Sequence, residues 1–258
     1  MAQLENRYAR AGSVPSAGVD VDAGLRSYML RVYNYMAGGV ALSGLVAMVL
    51  NNLAVTTDPS LAKARMGSKM LTEFGKMIYT GPLMWVLVFA PLAFVLYLSF
   101  RVYKMSPAAT QIAYWAFATV MGASLSTILL RYTGQSIARV FFISAATFGA
   151  LSLFGYTTKK DLTGWGNFLI MGVIGLIIAG LVNIFMQSGP LQMAISAIGV
   201  LVFAGLTAYD TQTIKDHYYE IAHDGALATK GAVMGALNLY LDFINIFQSL
   251  LGLAGDRE

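Results

Sequence analysis

Seven apolar stretches, separated by short polar pieces, set the pattern of this chain. They fall at about 32–53, 78–100, 108–130, 137–157, 164–186, 191–213 and 231–253. A helix needs roughly 20 mainly apolar residues to cross the hydrocarbon layer of a bilayer. The spacing therefore predicts an all-α integral membrane protein with seven transmembrane helices. The third stretch contains no formal charge between Lys104 and Arg131. Pro82 and Pro91 predict kinks in the second, which neighbouring helices can tolerate. The first connection is the longest, and Asp58–Pro59 with the charged stretch from Lys63 to Lys76 predicts a short surface helix there. Gly231-x-x-x-Gly235 opens the seventh stretch, a spacing that lets helices approach closely in ordinary packing. The polar residues 1–27 are expected as a flexible N-terminal arm without the apolar core of a secretory signal. Residues 28–254 then form one membrane domain and 255–258 a short tail.

Composition agrees with lipid as part of the solvent. The 258 residues are 57% hydrophobic and only 12% charged, with a mean hydropathy of +0.63, whereas soluble domains carry about a quarter charged residues. The net charge of +4 comes from basic residues lying between apolar runs, which argues against nucleic acid as a partner. Cysteine is absent, excluding disulfides, thiol catalysis and thiolate metal sites. Assigning connections to alternate sides puts ten Lys and Arg with the N-terminus and seven opposite, which favours a cytoplasmic N-terminus. The C-terminus lies outside if the seventh stretch crosses fully, and inside if it is re-entrant.

Eleven of the thirteen acidic residues fall in termini, loops or helix ends; Asp210 and Asp242 do not. A charge at a helix centre costs at least about 2.5–3.5 kcal/mol on insertion scales, so each is a candidate functional residue. Asn238, Asp242, Asn245 and Ser249 recur at i, i+4, i+7 and i+11, a single stripe on an otherwise apolar helix. Thr207 and Asp210 share a face of the sixth. If these faces meet, two carboxylates share a low-dielectric site in which both cannot ionise cheaply. Such a pair is a proton-responsive latch. Depth stands against the meeting. Asp210 falls in the last turn of the sixth stretch, and Asp242 about 11 residues into the seventh, roughly 16 Å deep at 1.5 Å per residue. Contact requires the seventh helix to begin later or both helices to protrude. The alternative is that Asp210 snorkels towards Lys215 and Asp242 makes a structural hydrogen bond. Arg101 is the nearest candidate counter-cation, or simply an interfacial anchor. His217, Glu220 and His223, at i, i+3 and i+6, spread over about 120° of a helix, unlike an i, i+4 zinc pair, and are expected on a solvated turn.

Phe203–Lys215 (FAGLTAYDTQTIK) with Ala236–Leu251 (ALNLYLDFINIFQSLL) resembles the signature of the Bax-inhibitor, or transmembrane Bax inhibitor motif, family; the likeness extends over roughly residues 25–254. It implies a seventh helix wrapped by the other six and a pH-sensitive calcium leak with Asp210 and Asp242 as proton sensor and ion path. It also implies a second-helix arginine that can latch one Asp, matched by Arg101, though Lys104 fits an ungapped alignment. Asn238 and Asn245 would complete the polar lining. The 6–7 connection looks longer here than in small bacterial members. Calcium takes hard oxygen ligands, and two acids allow only a weak transit site, with no cofactor. Proteolysis by paired aspartates is disfavoured because the Gly-x-Gly-Asp motif is missing: Leu239, Tyr240 and Leu241 precede Asp242, and Gly255–Asp256 lies at the frayed chain end. No enzyme is expected. The rival is a non-channel membrane protein modulating a membrane protease or stress response through protein partners. A secondary transporter would want an internal repeat, and none is evident. A bacterial inner membrane is the expected location.

Overall fold

A computed structural model describes residues 17–256. Helix α1 (Ala17–Ala54) is followed by three short strands, β1 (Val55–Thr56), β2 (Ala64–Met66) and β3 (Lys69–Leu71), and by helices α2 (Glu73–Tyr79) and α3 (Leu83–Arg101). Next come α4 (Pro107–Leu125), its short extension α5 (Ile128–Arg131), α6 (Gly134–Thr157), α7 (Thr163–Met186), α8 (Gly189–Ile221) and α9 (Gly225–Ala254). Among the described residues seven helical segments are long and apolar enough to cross a membrane: α1, α3, α4 with α5, α6, α7, α8 and α9. The chain is an all-α integral membrane protein. Of the arm expected over 1–27, residues 1–16 lie outside the described residues and 17–27 belong to α1.

Local chemistry explains where the helices begin. The Ser106, Thr133 and Ser188 hydroxyls accept from the backbone N–H groups of Ala109, Ser136 and Leu191, satisfying donors that an opening helical turn leaves free. Pro107 and Pro190 follow two of these caps, where a missing N–H costs nothing. Pro82 does not kink the second span as expected. It sits at the start of α3, after a break that separates α2, and only Pro91 lies inside the helix. The first connection also differs from expectation. Residues 64–71 form an antiparallel hairpin, Met66 pairing with Lys69, and only Glu73–Tyr79 is helical. Gly67, at φ 58°, supplies the positive φ of the two-residue turn, a feature that charge counting does not register.

The outer spans are made for lipid. On α3, Trp85, Val86, Phe89, Leu92 and Leu96 are exposed, and α7 exposes Phe168, Met171, Ile174, Ile178 and Phe185. Such apolar surfaces are stable only against hydrocarbon. The seventh span, α9, is the most enclosed, with its principal neighbours α8, α1, α6 and α4. Helices α3 and α7 join the bundle chiefly through α4 and α8. Around α9 the aromatic rings meet edge to face, Phe117 with Tyr240 at 5.5 Å, Phe141 with Phe243 at 5.5 Å and Phe148 with Phe243 at 5.8 Å. Buried Tyr240 donates to Ser43 Oγ (2.6 Å), and Ser43 donates in turn to the Ala118 and Gly39 carbonyls. One hydroxyl thereby ties α1, α4 and α9 together.

The seventh span crosses fully. Its C-terminal end is held against the start of α6: Asp256 N–H donates to Ser136 Oγ, Thr133 N–H to the Asp256 carbonyl, and Arg139 pairs with the Asp256 carboxylate at 3.0 Å. Gly255–Asp256 is therefore docked, where a frayed end was expected. We call this side, which also carries the β-hairpin, the hairpin face. The start of α1 lies on the opposite face, where Tyr28 stacks on Tyr218 near the end of α8.

Candidate functional site

The site is built on the antiparallel pair α8 and α9. Small residues set their register. Gly199 faces Ser249 and Gly252 faces Ser196 towards the hairpin face, while Gly235 faces Ile214 and Gly231 faces Ile221 towards the other. At each of these places a Cβ would crowd the opposing side chain, so glycine is what lets the two helices close. On α8 the facing positions continue as Thr207 and Asp210, and on α9 as Asp242. Asp242 lies level with the turn Thr207–Asp210, and the two carboxylates are offset by roughly one helical turn.

The depth problem disappears for a simple reason. Helix α8 does not stop near residue 213 but runs to Ile221, and α9 begins at Gly225. The connection is three residues, not the long loop expected. Lys215, Asp216, His217 and Glu220 continue the helix beyond the apolar region, and hydropathy cannot see a helix that leaves the membrane. Asp210 is consequently about 17 Å from the end of α8, not in its last turn. Both helices protrude, which is the condition that lets the aspartates meet.

Asp242 is 4% exposed, and its Oδ2 is buried without a hydrogen-bond partner among the described residues. Asp210 is half-buried. Among the described residues no cation is paired with either. Arg101 is exposed at the end of α3 without a partner among the described residues, and Lys215 donates to the Tyr156 carbonyl at 3.1 Å. The snorkelling pair Asp210–Lys215 is thus absent. Lys104 is likewise exposed. Of the predicted polar stripe, Asn245 is half-buried and donates to its own helix at the Leu241 carbonyl (2.8 Å), whereas Asn238 is exposed rather than turned inward. The described residues hold no group of three or more His, Cys, Asp or Glu fit for a metal. His217 instead pairs with Glu220 at 3.2 Å on the exposed end of α8.

The residues around Asp210 divide the labour of holding α8. Tyr209 packs over Gly166 of α7, and Ala208 meets Gly155 of α6 backbone to side. Thr211 donates to the Thr207 carbonyl (2.7 Å). Ser152 of α6 must then donate to Thr211 (2.9 Å), and Tyr33 of α1 to Ser152 (2.7 Å). This buried chain of hydroxyls joins three spans beside the aspartates. Gln212 clasps the 4–5 connection, donating to the Lys160 carbonyl and accepting from Leu162 N–H, both at 2.8 Å. Sequence reasoning missed Tyr33, Ser152 and Gln212. Ser152 had a signal: Ser136, Ser144 and Ser152 recur every eight residues on one buried face of α6. Tyr33 and Gln212 had none.

Comparison with known proteins follows from this geometry. A model of the family described as inhibitor of apoptosis-promoting Bax1 matches residues 25–258. An uncharacterised protein of Caulobacter vibrioides is 44% identical over 259 residues, covering all of both chains. A protein of Rickettsia prowazekii is 43% identical over 97% of this chain and 98% of its own length. The inner membrane protein YbhL of Escherichia coli K12 is 39% identical over 98% of this chain and all of its own.

Proposed function

Because the chain belongs to the Bax-inhibitor family of membrane proteins, we propose that it is a pH-sensitive calcium leak whose proton sensor and ion path are Asp210 and Asp242. The observation that carries this reading is the buried, unpartnered Asp242 oxygen about one helical turn from a second carboxylate, with no side-chain cation on either among the described residues. A buried carboxylate left that way must take a proton, a mobile cation or water. Protons and calcium compete for the same oxygens, so acidification changes occupancy of the path. Calcium here is cargo. Two acids with nearby amide and backbone oxygens offer weak, transient coordination, well short of a six- to eight-oxygen cage. Arg101 would have to swing from the end of α3 to act as a latch. By the likeness to YbhL, the protein belongs in a bacterial inner membrane, and the basic-residue bias puts its N-terminus in the cytoplasm.

A second reading is a non-channel protein that acts on membrane-protein partners. The family's description as an inhibitor favours it. Purified protein in liposomes loaded with a calcium dye separates the two. The leak reading expects calcium entry that varies from about pH 6 to 8, a range in which buried carboxyl groups can titrate, and that Asp210→Asn or Asp242→Asn abolishes or uncouples from pH. Wild-type entry no faster than into empty liposomes at every pH gives first place to the partner reading.

A further inference from the structure

We infer that a water-filled vestibule enters the bundle from the hairpin face, between α7, α8 and α9, and ends one turn short of Asp242. It deepens the proposed function by naming the aqueous route to the carboxylate pair, yet it rests on separate geometry. At the hairpin face a cavity of about 680 Å³ is lined by Asn183, Gln187, Ser188, Gln192 and Arg131 among others. Gln192 also lines a second, deeper cavity of about 270 Å³. Its walls bring together Ser196 of α8 and Asn245, Gln248 and Ser249 of α9, and it reaches inward as far as Phe203. The two cavities share Gln192 as a common wall, which sets them one after the other along α8.

The gap has a structural cause. Helices α7 and α9 each pack principally on α8 and scarcely on each other, so a groove is left between them with α8 as its floor. Gly199 lies in that floor and makes room. The polar side chains are the telling feature. Gln192 is held by Asn183 at 3.0 Å near the entrance, but deeper in, the side chains of Ser196, Gln248 and Ser249 make no hydrogen bond among the described residues. Polar groups at this depth are costly against lipid and stable against water. Helices α7 and α8 turn exposed Ile174, Ile178 and Ile198 outward, so on these two helices the polarity is confined to the groove. Asn245, at its inner end, is three residues from Asp242.

The absence of cysteine from the chain provides a clean test. Single Ser249→Cys and Gln248→Cys variants of the full chain are placed in sealed proteoliposomes and exposed to a membrane-impermeant cationic methanethiosulfonate. Ser60→Cys, on the first connection, marks the hairpin side; Lys159→Cys marks the other; Ile198→Cys is the lipid-facing control. The vestibule expects Ser249→Cys and Gln248→Cys to be modified whenever Ser60→Cys is, and in the same vesicle fraction. Ile198→Cys should react at least about tenfold more slowly, because a thiol in hydrocarbon stays protonated and inert. Two variants guard against one misfolding. Protection of both to the level of Ile198→Cys, or modification that follows Lys159→Cys, overturns the vestibule. Labelling does not depend on flux, so a vestibule without a calcium leak and a leak without this vestibule are distinguishable results.

Discussion

Removing the side-chain amide of Gln212 should loosen the attachment of the 4–5 connection to α8, two residues from Asp210. The amide makes two hydrogen bonds of 2.8 Å, one to the Lys160 carbonyl and one from Leu162 N–H, and Gln212 is 7% exposed. A net hydrogen bond contributes about 0.5–1.5 kcal/mol, and a partner left unsatisfied costs more when water cannot reach it. Lys160 is exposed and Leu162 half-buried, so water can replace part of what is lost. Gln212→Ala should therefore cost about 1–3 kcal/mol. Equilibrium unfolding in mixed micelles, followed by tryptophan fluorescence, measures the total; Trp165, whose backbone N–H donates to the Leu162 carbonyl, is a local reporter. Hydrogen exchange at the Leu162 amide tests the cause, since it should lose protection by more than the helix interiors do. Gln212→Glu discriminates further. It keeps an acceptor for Leu162 N–H but turns a carboxylate towards the Lys160 carbonyl, so it should not restore wild-type stability. Unchanged unfolding together with unchanged Leu162 exchange in Gln212→Ala would refute the clasp.

The remaining expectations concern the carboxylates, the helix contacts and the caps. Asp242→Asn should raise stability at neutral pH by about 1–2 kcal/mol, part of the cost of a mid-membrane charge, while disabling pH-dependent flux; a clear loss of stability would show that Asp242 has a structural partner. Gly155→Leu should destabilise by about 1–3 kcal/mol through overpacking, since even a Cβ there meets the Ala208 backbone; unaltered unfolding would mean α6 and α8 stand further apart. Tyr240→Phe should cost about 0.5–1.5 kcal/mol for the lost bond to Ser43, measured by the same unfolding. Asp224 caps α9, and the N–H groups of Leu227 and Ala226 hold its carboxyl below the ordinary carboxylate value. A depressed folded-state pKa makes the cap fully effective above the unfolded value of about 3.9 and removes it as pH falls through the folded value. Exchange at Ala226 and Leu227 should accelerate on that acid side in wild type and show no such step in Asp224→Asn.

The number of spans and the two anomalous aspartates were legible in the residues alone. Both follow from transfer free energy, which is local: apolar runs of spanning length stand out one residue at a time, and so does a carboxylate inside one. What the chain order could not reveal was anything set by contact between distant segments. Hydropathy ended the sixth helix near residue 213, because a helix leaving the bilayer changes its solvent but keeps its backbone bonds. The hairpin at 64–71 hid behind charges that suit a surface helix equally well. Stripe geometry put Asn238 with Asp242, yet a 40° step per four residues separates a buried position from an exposed one once neighbours are fixed. The register of α8 against α9, read from Gly199, Gly235 and Gly252 and their partners, was decided only by packing. So were the hydroxyl chain through Tyr33 and Ser152, the Gln212 clasp and the docking of Asp256. Residue chemistry determined that two carboxylates lie within the membrane; close packing of glycine-bearing helices decided that they lie about one helical turn apart across the α8–α9 pair, because register depends on shape complementarity between surfaces that are far apart in sequence.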